Sequence, residues 1–391
     1  MTADPEGVEP RKSEPRKTMS ETAGRHTKVT GIRTARLPDR PSNGVTALEH
    51  GGSLAEARAR FPGAPEPWID LSTGINPWPY PVPPLPPEHW ARLPEPSAHR
   101  RLEAAAARAY GVADPAAVVA APGTQLLIGL LPRLIPAAAV GVLTPTYNEH
   151  AASWAAAGAR VIPCAELAAL AHHPVGVLCN PNNPDGRRHD PAALLRLTER
   201  MPLLVVDEAF ADLEDAGPSG LSLAPSVPGE GLVVLRSFGK AYGLAGLRLG
   251  FALAPPRLAA RLRDALGPWC VSGPALAIGT AALEDGNWRG AAASRCAEAA
   301  ERLDRLLEAS GLTVLGGTSL FRLARCSEAA AIHDRLGRAG IHVRRFSSMP
   351  DRLRFGLPPD EPAWSRLAAA LVPEGQGPHS IRSATGTARI S

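Results

Sequence analysis

From about residue 98 onward the chain alternates short apolar runs with amphipathic stretches, and this alternation sets the first expectation. An alanine-rich helix over 98–110 precedes strand-like runs at 117–121, 139–144, 159–163, 174–179, 202–207, 231–236 and 248–254, with helical periodicity at 124–137, 148–158, 190–200 and 255–266. Runs of this kind interleaved with helices predict an α/β architecture, a mostly parallel seven-stranded sheet covered by helices. Ligands of such sheets bind beyond the carboxyl ends of the strands. Past residue 268 the pattern changes to helix over 274–309, strand over 312–315, helix over 327–339 and strand-like runs at 341–345 and 353–357, a smaller α+β lobe. Ahead of the alternation, Ser53 is placed to cap a helix over 54–60. Residues 68–90 hold too many prolines for a central strand or a helix and predict an extended arm. Its Trp68, Trp78 and Tyr80 suggest that the arm lies on another subunit, hence a homodimer; a disordered linker is the competing reading. The expected organisation is a tail at 1–45, the arm with part of the small domain at 46–97, a large domain at 98–267, a small domain at 268–373 and a frayed end at 374–391.

Polar residues collect where the apolar runs stop. The run 231–236 empties into Ser237-Phe238-Gly239-Lys240, and a lysine delivered by a core strand costs several kcal/mol to bury unless it is neutralised, paired or used covalently. Its common covalent use is a Schiff base with a carbonyl cofactor, for which a lowered pKa makes the amine nucleophilic; a loop lysine facing solvent is the plain alternative. Gly123-Thr124-Gln125 opens a helix with free N–H groups and a hydroxyl, an anion cradle. Tyr147 and His150 follow the second run and offer an aromatic face and an imidazole, and Asn180–Gly186 form a proline-stiffened turn whose amides can reach a ring hydroxyl. Asp207 ends a fully apolar run, so it needs a cationic partner. In the last third, Arg344 and Arg354 at strand ends could clamp anions in bidentate fashion, or could equally be solvated surface arginines. His50-Gly51-Gly52 would let the backbone approach a ligand, or simply start a helix.

Composition narrows the class. With 391 residues, 45% hydrophobic and 20% charged, the chain is globular, and it has no apolar run long enough to span a membrane. Residues 1–45 carry nine Lys or Arg against six acids, a net of +3 out of +4 for the whole chain. The folded part is therefore close to neutral, which argues against nucleic acid as a partner. The basic tail has no signal-peptide segment, and Met19 is an alternative start. Five scattered cysteines, an odd number without CxxC spacing, argue for a reducing, cytoplasmic compartment with buried thiols and against disulfides or a bound metal.

Taken in order, Asn183-Pro184-Asp185-Gly186, Asp207-Glu208-Ala209-Phe210 and Ser237-Phe238-Gly239-Lys240 with Arg248 eight residues on resemble the fold-type I enzymes that use pyridoxal 5′-phosphate, specifically the class I/II aminotransferase group, over residues 46–372. The resemblance implies a pyridoxal-phosphate-dependent transferase-like fold in which Lys240 carries the cofactor as a Schiff base. It also implies that Asp207 keeps the pyridine nitrogen protonated, with His150 behind it, that Asn183 bonds the phenolic oxygen and that Tyr147 stacks on the ring. By the same likeness Gly123, Thr124, Ser237 and Arg248 bind the cofactor phosphate. Phe210 stands where many relatives have a tyrosine, and Gly239 where they have a serine. Within the group, His50-Gly51-Gly52, Asp70–Pro77 and Asp207–Asp212 are most similar to the threonine-phosphate decarboxylase branch of cobalamin biosynthesis; histidinol-phosphate aminotransferases are the near alternative. That branch implies a phosphorylated amino acid as substrate, Arg354 on its carboxylate, and Arg344, His50 and Asn76 among the residues that bind the rest of it. A decarboxylase must set the Cα–carboxylate bond perpendicular to the cofactor ring, whereas an aminotransferase sets the Cα–H bond there, and two fixed anion sites determine that rotation.

Overall fold

The computed structural model describes residues 51–214, 222–227 and 229–372; the two tails and the His50 call lie outside them. Strands β1 (Ile69–Leu71), β2 (Val118–Ala121), β3 (Ala139–Leu143), β4 (Arg160–Cys164), β5 (Val175–Cys179), β6 (Leu203–Asp207), β7 (Leu232–Ser237), β8 (Gly250–Leu253), β9 (Thr313–Thr318), β10 (Phe321–Arg325), β11 (Ile341–Arg345) and β12 (Arg352–Gly356) form two sheets. The larger has the order β2-β8-β7-β6-β5-β3-β4, with β8 antiparallel to both neighbours and the other pairs parallel. All seven expected strands are present. β2, β5, β6 and β8 are buried along their whole length, because helices cover both faces and leave no polar face to show in the sequence. Since β2, β3, β5, β6 and β7 run the same way, the loops carrying Gly123, Tyr147, Asn183, Asp207 and Lys240 gather on one edge of the sheet.

The smaller sheet has the order β1-β11-β12-β10-β9. Here the structure departs from the sequence reading in several places. The proline-dense segment does contribute a strand, β1, but only as an edge strand paired in parallel with β11, where Ile69 lies opposite Ile341; an edge tolerates nearby prolines. The helical patterns expected over 274–309 resolve into two helices, Gly273–Glu284 and Gly286–Ala309, divided at Asp285, whose carboxylate accepts the Trp288 N–H at 2.9 Å and caps the second. β10 and the helix Glu361–Leu371 went unread, and Ser53 precedes the helix Leu54–Arg60 without capping it through its side chain. Among the described residues no helix is long and apolar enough to cross a membrane.

The largest correction concerns the arm. Trp68 and Tyr80 are buried in their own chain. Tyr80 meets Tyr242 and Trp288 edge-on at ring distances of 6.3 and 5.2 Å, and its N–H donates to the Tyr242 carbonyl. Trp78 donates its indole N–H to the Pro359 carbonyl at 2.8 Å, and the Arg295 guanidinium lies 3.9 Å from its ring centre. These aromatics therefore weld the arm to the chain that carries it, through Tyr242, two residues past Lys240. Tyr80→Ala should cost about 3 kcal/mol of unfolding free energy, read as a lower urea midpoint at unchanged slope. A loss under about 1 kcal/mol would show that the arm is held elsewhere.

Candidate active site

Five strand ends and two strands of the smaller sheet enclose a cavity of about 360 Å³, a size suited to a small ligand. Lys240 stands on its floor. After Ser237 the chain turns through the single-turn helix Phe238–Ala241 and folds back under Ala245. A Cβ at Gly239 would stand 2.7 Å from the Ala245 Cα, so the close return excludes a serine there. Asn76 clamps this turn from the other side. Its N–H donates to the Lys240 carbonyl (3.0 Å), its Nδ2 to the Ala241 carbonyl (2.9 Å), and its Oδ1 accepts from Trp78 N–H (3.0 Å). Asn76 was expected on the substrate; instead its buried amide is committed to backbone groups and it does not line this cavity. The structure makes it a brace for the lysine turn.

The Lys240 amine donates to the Thr73 carbonyl at 3.2 Å and lies 5.7 Å from the Phe210 ring centre. Among the described residues no carboxylate is within ion-pair distance of it. Burial, reinforced by the like charge of Arg354 and opposed by Asp207 and Asp70, brings its pKa down to about 8. At neutral pH about one amine in ten is then unprotonated, a usable nucleophile.

Asp207, at the end of β6, accepts Ala209 N–H at 3.0 Å and His150 Nε2–H at 2.9 Å, and both side chains are buried. Burial alone would lower the His150 pKa, but the hydrogen bonds to Asp207 and Cys179 and their charges outweigh it and hold the imidazole up at about 10. His150 is thus the cation that the buried carboxylate requires. Cys179, opposite Asp207 in the β5–β6 register, completes a group of potential metal ligands lying within 4.8 Å of one another. It is the one such group among the described residues, and it belongs to this site.

The residues expected to form an anion cradle come together. Gly123, at a φ of 87°, opens the helix Thr124–Leu134, and Thr124, Ser237 and Arg248 converge on it. Arg248 takes a left-handed φ of 55° and donates to the Ala245 carbonyl at 3.1 Å. A Cβ on Gly123 would come within 2.6 Å of the Arg248 Nη2, so glycine keeps open the space between amide and guanidinium that an anion can take. Tyr147 lines the same cavity, its hydroxyl donating to Gln125 Oε1 at 3.0 Å while Gln125 Nε2 donates to Glu149 at 2.9 Å. Burial, then Glu149, pushes the phenol up to about 12, so it remains a donor.

Of the three asparagines in the stiff turn, only Asn183 serves the cavity. Asn180 exchanges bonds with the His189 backbone, and Asn182 donates to the Pro145 carbonyl. Asn183 Oδ1 accepts from Arg354 Nη1 at 2.5 Å, and Arg354 Nη2 donates to the Ser72 carbonyl at 2.7 Å. Arg344 lies directly opposite Arg354 in the β11–β12 register, and both line the cavity. Burial and then the charge of Arg344 lower the Arg354 pKa to about 9; two guanidinium groups in one cavity are a standing invitation to anions. Gln125, read with the cradle, also lines the wall, as do Ser72, Thr73, Phe346, Ser348 and Met349, which had no assigned part. These last act through backbone atoms or a connecting loop and leave no signal by residue type.

Residues 87–372 match the family model described as aminotransferase class I and II. The chain belongs to that family. It is 45% identical over 332 residues to a threonine-phosphate decarboxylase of Pseudomonas aeruginosa, covering 83% of this chain and 97% of that one, and 46% identical to a threonine-phosphate decarboxylase of a Sinorhizobium species over 83% and 98%. Among solved structures, the histidinol-phosphate aminotransferase of Sinorhizobium meliloti in complex with pyridoxal-5′-phosphate superposes with a TM-score of 0.73 at 26% identity, over 86% of this chain and 97% of that one.

The depressed amine has a consequence for stability. Between the folded value of about 8 and the ordinary value of 10.5 the unfolded chain binds more protons than the folded one, so this lysine's contribution to stability rises with pH across that window. In the cofactor-free protein, Lys240→Met should therefore be more stable than the parent below pH 8. The gain is at most about 3 kcal/mol, reduced by the water that reaches the amine through the cavity. It should vanish toward pH 10.5. Urea melts of both proteins at pH 7 and pH 10 check this, and a difference independent of pH would contradict the proposed burial of a charged amine.

Proposed function

We propose that the protein is a pyridoxal-phosphate-dependent decarboxylase that converts L-threonine O-3-phosphate to carbon dioxide and (R)-1-amino-2-propanol O-2-phosphate, the aminopropanol side arm of cobalamin. The observation that carries the reading is the pairing of Arg344 and Arg354 in one cavity with the Lys240 amine, alongside the 45–46% identity to the two decarboxylases.

The residues present fit pyridoxal phosphate. The donor set offers an amine of depressed pKa, a glycine-opened anion cradle and a buried carboxylate backed by an imidazolium. When bound, the cofactor supplies an electron sink conjugated to the substrate's α-carbon. Lys240 holds the cofactor aldehyde, while Gly123, Thr124, Ser237 and Arg248 hold its phosphate. Asp207 provides the negative charge that keeps the pyridine nitrogen protonated, and the positive His150 keeps Asp207 ionised. Asn183 serves the phenolic oxygen and Tyr147 covers the ring. Phe210, without a hydroxyl, leaves Asn183 as the side-chain donor to that oxygen. Arg354, pre-set by Asn183 and the Ser72 carbonyl, takes the substrate carboxylate. Arg344 takes the substrate phosphate, with His50 as a further candidate. Gripping the substrate at both anionic ends fixes its rotation about the α-carbon, and Lys240 Nζ is the group placed to return a proton to that carbon once carbon dioxide has left.

The protein is proposed to act in the cytoplasm, consistent with five free cysteines, and as a homodimer, consistent with the exposure of Trp90, Leu93 and Trp269.

Supplied with threonine phosphate and pyridoxal phosphate, the purified protein should release carbon dioxide without 2-oxoglutarate. Glutamate formation that requires 2-oxoglutarate would instead make it an aminotransferase. Arg344→Ala should raise KM for threonine phosphate by about 100-fold, the 2–3 kcal/mol of a charge-assisted pair, with a smaller change in kcat. An unchanged KM would remove Arg344 from the phosphate site.

A further inference from the structure

Behind the cavity, on the far side of the strand ends that carry the site, lies an ion cluster that the reaction as proposed does not use. Arg236 Nη1 donates to Glu208 Oε2 at 2.6 Å and to Ser222 Oγ at 3.1 Å, and its Nη2 meets Asp212 Oδ1 at 2.5 Å. Glu208 also accepts Ser222 Oγ–H at 2.6 Å and Leu223 N–H at 2.7 Å. The Arg236 guanidinium lies 4.6 Å from the Tyr110 ring centre. Arg236, Glu208 and Asp212 are 4%, 0% and 6% exposed, and none lines the cavity.

Stability does not account for this arrangement. Taking two carboxylates and a guanidinium out of water costs more than apolar packing of the same volume would, and an isolated buried ion pair is at best near neutral for folding. The position of each member in the chain is more telling. Glu208 follows Asp207; Arg236 precedes Ser237 and stands four residues before Lys240; Asp212 lies two residues past Phe210, whose ring faces the lysine amine. β6 and β7 are parallel neighbours, with Asp207 opposite Leu235, so the Arg236–Glu208 bond spans the two strand ends that deliver the carboxylate and the amine. The Arg236–Asp212 bond adds the turn that delivers Phe210. Apolar contacts tolerate sliding, whereas charge-assisted bonds of this length are lost with small displacements. We infer that Arg236, Glu208 and Asp212 are positioning residues, an ionic template that fixes Asp207, Phe210 and Lys240 relative to one another across β6, β7 and the turn after β6.

This inference rests on the pyridoxal-phosphate reading of the cavity, and the experiment separates the two. The full-length protein, Asp212→Asn and Asp212→Glu are titrated with pyridoxal 5′-phosphate and followed by visible absorbance, by the pH at which the bound band shifts and by thermal unfolding without cofactor. The asparagine keeps the shape and removes the charge; the glutamate keeps the charge and moves it by one methylene. The expected result is a cofactor Kd raised about tenfold in both variants, with a shifted absorbance transition and the cofactor-free Tm within about 4 °C of the parent. A lowered Tm together with a Kd and an absorbance transition like the parent's would mean that the cluster merely supports the fold, and no change in any readout would mean that it positions nothing; either overturns the inference. If Asp212→Asn is insoluble, Asp212→Glu decides by the same readouts. Parent protein that binds no pyridoxal phosphate would overturn the cavity reading, and this inference with it.

Discussion

An amine buried with no carboxylate among the described residues close enough to neutralise it is the constraint from which the rest of the site follows. Among the described residues Lys240 has only the Thr73 carbonyl as its hydrogen-bond acceptor, and a guanidinium contributes to its surroundings with the wrong sign. A purely structural lysine would be expected to find an acid or to reach for water. Here the nearest acids act at a distance, and Asp207 is committed to His150. The fold therefore raises the fraction of the lysine that is unprotonated and reactive, and the cost of burying its charge is relieved when the amine becomes part of a neutral or delocalised group.

Charge around the cavity is sorted accordingly. Arg248 stands at the helix-end cradle, Arg344 and Arg354 stand on the smaller sheet, and the one carboxylate among the described residues that lines the cavity, Asp207, sits on the larger sheet's edge with its own imidazolium behind it. Arg354 is prevented from swinging toward that carboxylate because Asn183 and the Ser72 carbonyl take two of its donors. A ligand with two separate anionic ends and a cationic ring nitrogen is complementary to this layout. Complementarity of that kind discriminates by leaving buried charges unpaired when the wrong molecule enters.

What the sequence made legible has a physical boundary. Buried strands advertise themselves because both faces are apolar, and a polar residue that ends such a run, as Asp207 does after Leu203–Val206, has nowhere to point but a ligand or a partner. Cradle residues are legible because a glycine at a helix start has few other uses. Direction, by contrast, is not written in residue type. Asn76, Asn182 and Asn183 are the same residue, yet two are braces and one faces the cavity. Trp68, Trp78 and Tyr80 could cover any apolar surface, and the presence of Tyr242, Trp288 and Pro359 within reach on the same chain was visible only once the fold had closed. The Arg236 cluster was hidden for a further reason: Arg236 ends the apolar run Leu232–Leu235, but its partners Glu208 and Asp212 lie elsewhere in the chain, and residue type does not say which acids meet it.

The strip from β1 to Tyr80 joins these elements into one device. It pairs with β11 through Ile69, offers the Ser72 carbonyl to Arg354 and the Thr73 carbonyl to Lys240, grips the lysine turn through Asn76, and ends in the aromatic stack with Tyr242 and Trp288. The strip's backbone thus touches both the Lys240 amine and the Arg354 guanidinium. Any shift of the smaller sheet against the larger would have to strain this strip, which ties the Arg354 guanidinium and the Lys240 amine to neighbouring carbonyls. One run of backbone therefore fixes the spacing of these two cations, and the Asn76 amide ties that run to the turn carrying Lys240.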